Sequence, residues 1–96
     1  MVPTSGIAAE AECRVRKMLL FVVRCLVDYP EDVEVTLVAG LEGSIFRIYV
    51  HPRDLGKLIG NNGQIEMALG CVVLASGRKL GQRLTIDIVQ EGSPLR

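Results

Sequence analysis

The stretch of this chain best suited to chemistry is Gly56-Lys57-Leu58-Ile59-Gly60-Asn61-Asn62-Gly63. With helices on either side, Gly60-Asn61-Asn62-Gly63 forms a tight turn whose backbone amides point outward. The positive dipole end of the following helix then lies beside them. Glycine carries no Cβ, so a ligand can come close to the main chain there. Such a site suits a phosphate, and Lys57, one turn upstream, adds a point charge. Gly-x-x-Gly by itself is weak evidence, because glycine pairs at this spacing also serve as plain helix–helix turns. Its setting decides.

Other chemistries find little to work with. The single histidine, His51, precedes Pro52 and reads as a loop or helix-cap residue, so zinc sites and His-assisted nucleophilic catalysis lack their parts. The carboxylates Glu31, Asp32, Glu34 and Asp54 read as strand-edge and cap charges. No metal, organic cofactor or small-molecule substrate is implied, and the chain reads as a non-enzyme. Its three cysteines, Cys13, Cys25 and Cys71, are odd in number and include no Cys-x-x-Cys. On one helix, Cys13 and Cys25 stand about 18 Å apart, beyond disulfide reach. A reducing, cytoplasmic setting is the expectation. Eleven basic residues balance eleven acidic ones, which argues against a polycation that coats nucleic acid or membrane by overall charge. The apolar run Met18 to Val23 is too short to span a bilayer, so no membrane partner is expected.

The elements that must position the glycine turn follow from periodicity. The 96 residues allow one domain, expected over residues 8–90 between flexible tails at 1–7 and 91–96. From Ala8 to Tyr29, Val15, Met18, Leu19, Val22, Leu26 and Tyr29 make one helical stripe, closed by Pro30. Val33, Val35 and Leu37 alternate with Glu34 and Thr36 as a half-buried strand. A hairpin loop at 39–43 leads to a second strand, in which Phe46, Ile48 and Val50 alternate with Ile45, Arg47 and Tyr49. Arg47 and Tyr49 are expected as ordinary exposed strand residues. Pro52 opens a short helix running to Ile59, with Asp54 meeting its exposed amides. After the Gly-x-x-Gly break, a third helix runs from Gln64 to about Ser76, with Gly77 and Gly81 bracketing its exit. Leu84, Ile86 and Ile88 make the last strand. The order is αββααβ.

In that setting the sequence resembles a known family. Leu26-Val27-Asp28-Tyr29-Pro30-Glu31-Asp32-Val33 and Val50-His51-Pro52-Arg53-Asp54-Leu55-Gly56-Lys57-Leu58-Ile59-Gly60 look like the small bacterial single KH-domain proteins of the KhpA type. The likeness covers about residues 13–89. It implies an α+β fold, a type II KH domain with three helices on one face of a three-stranded mixed sheet. It also implies single-stranded RNA binding, as an RNA chaperone or post-transcriptional regulator, with the glycine loop clamping the backbone of about four nucleotides. The positions carried over are Gly56, Lys57, Ile59, Gly60, Asn61, Asn62, Gly63 and Gln64. Family members often pair with a larger KH protein of the Jag type.

The chain departs from the family in its charges. Asn61 and Asn62 stand where a basic loop residue is usual, and Gln64, Met67 and Gly70 where the next helix is usually basic. A small electrostatic share of affinity is therefore expected, with Lys57 the one base close by in sequence. The helical wheels add a second reading. Ile65, Leu69, Val72 and Val73 form the expected core face of the third helix, while Met67, Cys71 and Leu74 lie opposite. On the first helix, Leu20, Val23 and Val27 form another apolar strip. These six residues are the candidate surface for a homodimer or a partner protein. In that alternative the KH fold serves mainly as a dimerisation or docking module.

Overall fold

The computed structural model describes residues 4–41 and 43–90, and gives the backbone alone for 4–9 and 61. Of the tails expected at 1–7 and 91–96, residues 1–3 and 91–96 lie outside the described residues, and 4–7 are helical.

Helix α1 spans Thr4–Leu26, so it starts before the expected Ala8 and stops short of Tyr29. Pro30 opens a short 3-10 turn, Pro30–Asp32, that swings the chain into the sheet. Strands β1 (Glu34–Gly40) and β2 (Gly43–Tyr49) pair antiparallel, with Gly40 opposite Gly43. A second 3-10 turn, Pro52–Asp54, leads into α2, Leu55–Leu80. Strand β3 (Leu84–Ile88) then pairs parallel to β2, giving the sheet order β1-β2-β3.

Helix α2 is one helical run with a corner in it: its first limb, which with the 3-10 turn spans Pro52–Gly60, meets the second, Asn62–Leu80, at 83°. Counting the limbs separately gives the order αββααβ of a type II KH domain. The second limb continues to Leu80, beyond the expected Ser76. Gly77 does not mark its end; it lies buried inside the helix, where a Cβ would come 2.5 Å from the Gln82 carbonyl oxygen. Gly81 does end it. With φ of 71°, Gly81 sends its N–H to Arg78 while Gln82 N–H reaches Gly77, closing the last turn as a Schellman motif.

The core lies between the helices and one sheet face. Val35, Phe46, Ile48, Leu84 and Ile88 point into it, as alternation requires. The buried row on α1 is Val15, Leu19 and Val23, continued by Val27 just past its end, and on the second limb of α2 it is Leu69, Val73 and Gly77. Both helices thus bury a row at every fourth residue. That shifts the expected stripes: Leu26 is exposed, and so is Val72, while Val23 and Val27 belong to the core. The candidate partner surface on α1 loses those two members, and Leu20 packs half-buried against the same core.

The other sheet face holds Thr36, Val38, Ile45, Arg47, Tyr49, Thr85 and Asp87. Arg47 departs from expectation, since only 7% of it is exposed. Its parallel neighbour Asp87 brings a carboxylate oxygen to 3.5 Å from Nε, and its guanidinium lies 5.9 Å from the centre of the Tyr49 ring. Arg16 of α1 is also tied down rather than left in solvent. Its Nε donates to the Val35 carbonyl at 2.8 Å, covering a main-chain group of edge strand β1.

Candidate nucleic-acid interface

The corner of α2 is made by two successive left-handed residues, Asn62 with φ of 62° and Gly63 with φ of 71°. Glycine takes this region freely, and asparagine tolerates it better than most side chains. The corner turns the helix without ending it. Asn62 and Gln64 are exposed, while Ile59 and Ile65, one on each side of the corner, are half-buried against the core.

Gly60 and Gly56 have a different reason to be glycine. Neither has a positive φ, and among the described residues a Cβ built at either would meet nothing within 4 Å. They stand four residues apart on the first limb, hence on one helical face. Each costs the helix about 1 kcal/mol relative to alanine. Among the described residues nothing packs against either position to require that cost. What the pair creates is a strip of open main chain leading up to the corner.

The first limb is held at its start by a device that the sequence reading missed. Asp54, fully buried, does not cap its own helix as expected. Its two oxygens accept the backbone N–H groups of Asp28 and Tyr29, each at 3.0 Å. One carboxylate thereby ties the end of the α1 connection to the start of α2. Partners 25 and 26 residues away leave no local trace in the sequence. His51 caps the Pro52–Asp54 turn, its Nδ1 accepting from Arg53 N–H at 3.0 Å, and its ring stacks on Tyr29 with centroids 4.1 Å apart.

Lys57, on the first limb, carries its ammonium 3.2 Å from the Asp28 carboxylate. Both side chains are open to water, Lys57 at 43% and Asp28 at 70%. Arg78 and Lys79 lie in the last turn of α2, about 22 Å along the helix from Gly63. There they complement the negative end of the helix dipole. On the outer side of the second limb, Met67 and Cys71 are exposed and Leu74 is half-buried. Among the described residues no group of three His, Cys, Asp or Glu side chains is placed to hold a metal, and no single helix is long and apolar enough to cross a membrane. Cys13, Cys25 and Cys71 are exposed free thiols.

A helix cornered at Gly-x-x-Gly, packed on the last strand of a sheet whose final pair is parallel, defines a KH domain of the type II topology. The family profile described as KhpA/KhpB, KH domain, matches residues 16–88, and the chain belongs to that family. Among its relatives is the RNA-binding protein KhpA of Clostridium perfringens, 36% identical over 74 residues that cover 77% of this chain and 99% of the relative. The RNA-binding protein KhpA of Mycobacterium leprae is 43% identical over 68 residues, covering 71% and 81%. That of Aquifex aeolicus is 38% identical over 65 residues, covering 68% and 82%. No solved structure matches the chain significantly.

Proposed function

We propose that this protein binds short single-stranded RNA at the corner of α2. Backbone amides around 60–63 hold phosphates, Lys57 adds charge, and Ile59 with the second limb offers apolar surface to bases. The observation that carries the reading is the open glycine face. Gly56 and Gly60 are glycine where neither backbone conformation nor packing calls for it, and a close-approaching chain outside the protein does call for it. That these relatives are RNA-binding proteins of the KhpA kind by name supports the same reading. The chain acts by binding, with no catalytic step, in the cytoplasm.

The test is fluorescence anisotropy of a short single-stranded RNA at low salt, comparing wild type with the double change Asn61→Asp and Asn62→Asp. Aspartate accepts the left-handed region much as asparagine does, so the corner keeps its shape while two carboxylates repel phosphate. Saturable binding by wild type that the double change abolishes is the expected result. Wild type that does not bind overturns the reading.

A second reading rests on the outer side of the second limb. Met67 is 65% exposed, Cys71 and Val72 are exposed, and no charged residue occurs between Glu66 and Arg78. That face suits a second copy of the chain or a larger KH protein of the Jag type. Sedimentation of wild type and Met67→Lys at tens of micromolar checks it, a monomeric wild type ruling out self-association.

A further inference from the structure

We propose that Asp28 is a built-in competitor for Lys57 that sets how tightly the chain takes a phosphodiester backbone. The inference rests on the RNA-binding reading above and deepens it. Lys57 is the only cation between Leu55 and Gly77, and its ammonium already faces a carboxylate 3.2 Å away.

Exposed ion pairs are ordinarily loose, because two long side chains must be ordered to make them. Here the geometry is fixed from below. The main-chain N–H of Asp28 is bound by Asp54, and the next N–H, that of Tyr29, by the other oxygen of the same buried carboxylate. Asp54 immediately precedes α2, and Lys57 is the third residue of that helix. The backbones under the two charges are therefore held to one anchor. The stacking of Tyr29 on His51 fixes the neighbouring residue from the side. The pair is preformed, and its carboxylate stands where an incoming phosphate would compete.

A phosphate taken by Lys57 either displaces the Asp28 carboxylate or shares the ammonium with it. Sharing brings two anions within about 6 Å of one another, since each sits about 3 Å from the same nitrogen. Both routes weaken binding. Removing the carboxylate therefore tightens RNA binding, by about three- to tenfold at low salt and less as salt screens the charges. It also frees Lys57 to neutralise a phosphate in full, steepening the salt dependence of log affinity by about 0.7.

The experiment measures anisotropy of one short single-stranded RNA across a salt series with wild type, Asp28→Asn, Lys57→Met and the double variant. Asp28→Asn leaves intact the backbone N–H that Asp54 holds, so the fold is kept; far-ultraviolet circular dichroism verifies it. Asp32→Asn is the charge control, removing one negative charge from an exposed residue in the adjacent turn. The expected result is tighter and more salt-sensitive binding by Asp28→Asn, a gain that vanishes in the Lys57→Met background and is much smaller for Asp32→Asn. Equal binding by wild type and Asp28→Asn overturns the proposal and leaves RNA binding at the corner standing. A gain as large from Asp32→Asn overturns it in favour of overall charge. No binding by either protein at low salt overturns the RNA reading and the proposal with it.

Discussion

Replacing Gly60 by alanine is expected to make the protein more stable and worse at binding RNA. Gly60 ends the first limb of α2 in a helical conformation, and a Cβ there meets nothing within 4 Å. Alanine therefore brings its helix preference without a clash, stabilising the fold by about 0.5–1 kcal/mol. In a domain of this size that raises the melting midpoint by roughly 2–8 °C. The same methyl group stands in the space that a backbone phosphate must enter. Losing one charge-assisted hydrogen bond from an amide to phosphate costs about 1.5–3 kcal/mol, a loss of roughly 10- to 150-fold in affinity. Gly56→Ala, one turn upstream on the same face, should stabilise similarly and weaken binding less. Urea unfolding followed by circular dichroism reads the first effect, and RNA anisotropy the second. Stabilisation with unchanged affinity would refute the argument that the open face admits a ligand. Destabilisation would refute the argument that the fold has no need of glycine there.

Three further changes probe the frame that holds this face. Asp54→Ala leaves the N–H groups of Asp28 and Tyr29 without their acceptor and should cost about 2–4 kcal/mol in urea unfolding. Gly63→Ala forces a Cβ into the left-handed region and should cost about 1–2 kcal/mol, whereas Asn62→Gly should be neutral or stabilising in the same assay. Val23→Ala should lower stability by about 2 kcal/mol and Phe21→Ala by less than about 0.5 kcal/mol, because the first is in the core and the second is 70% exposed.

Much of this architecture is legible in local pattern, and the exceptions share a cause. Pro30 and Pro52 both open short turns, strand alternation places Phe46 and Ile48 inward, and the corner falls at Gly60-Asn61-Asn62-Gly63. These features depend on residues adjacent in sequence. The helix stripes shifted because a wheel weighs every apolar residue equally, while packing selects one row at every fourth position. Val72 was thereby counted inward and Val23 outward. Alternation places Arg47 on the far sheet face, but facing outward does not make it solvated. Its cover comes in part from Asp87, on a strand 40 residues later. Asp54 likewise serves a distant segment. At the candidate site the glycines and Lys57 were visible from the start, whereas the Asp28 carboxylate facing Lys57 was not, since only the fold brings α1's exit beside α2.

The charge arrangement makes the salt dependence of RNA binding a sharp test of the whole site. Net charge is zero, and Lys57 is the one cation on the helical segment around the corner. Arg78 and Lys79 sit at the far end of the second limb, about 22 Å from Gly63, more than two Debye lengths at physiological salt. Binding that rests on amides and one lysine, itself paired with Asp28, neutralises at most one phosphate, so the slope of log affinity against log salt should be no steeper than about −0.7. Between 50 and 200 mM salt, affinity should then drop by no more than about threefold. A slope steeper than about −3 would require four or more phosphates neutralised. In that case the RNA must run beyond the corner to Arg53, Arg83 or the end of α2, and the clamp drawn here would be too small. A shallow slope together with the loss caused by Gly60→Ala would mean that affinity comes from how closely the backbone can approach, with charge contributing little.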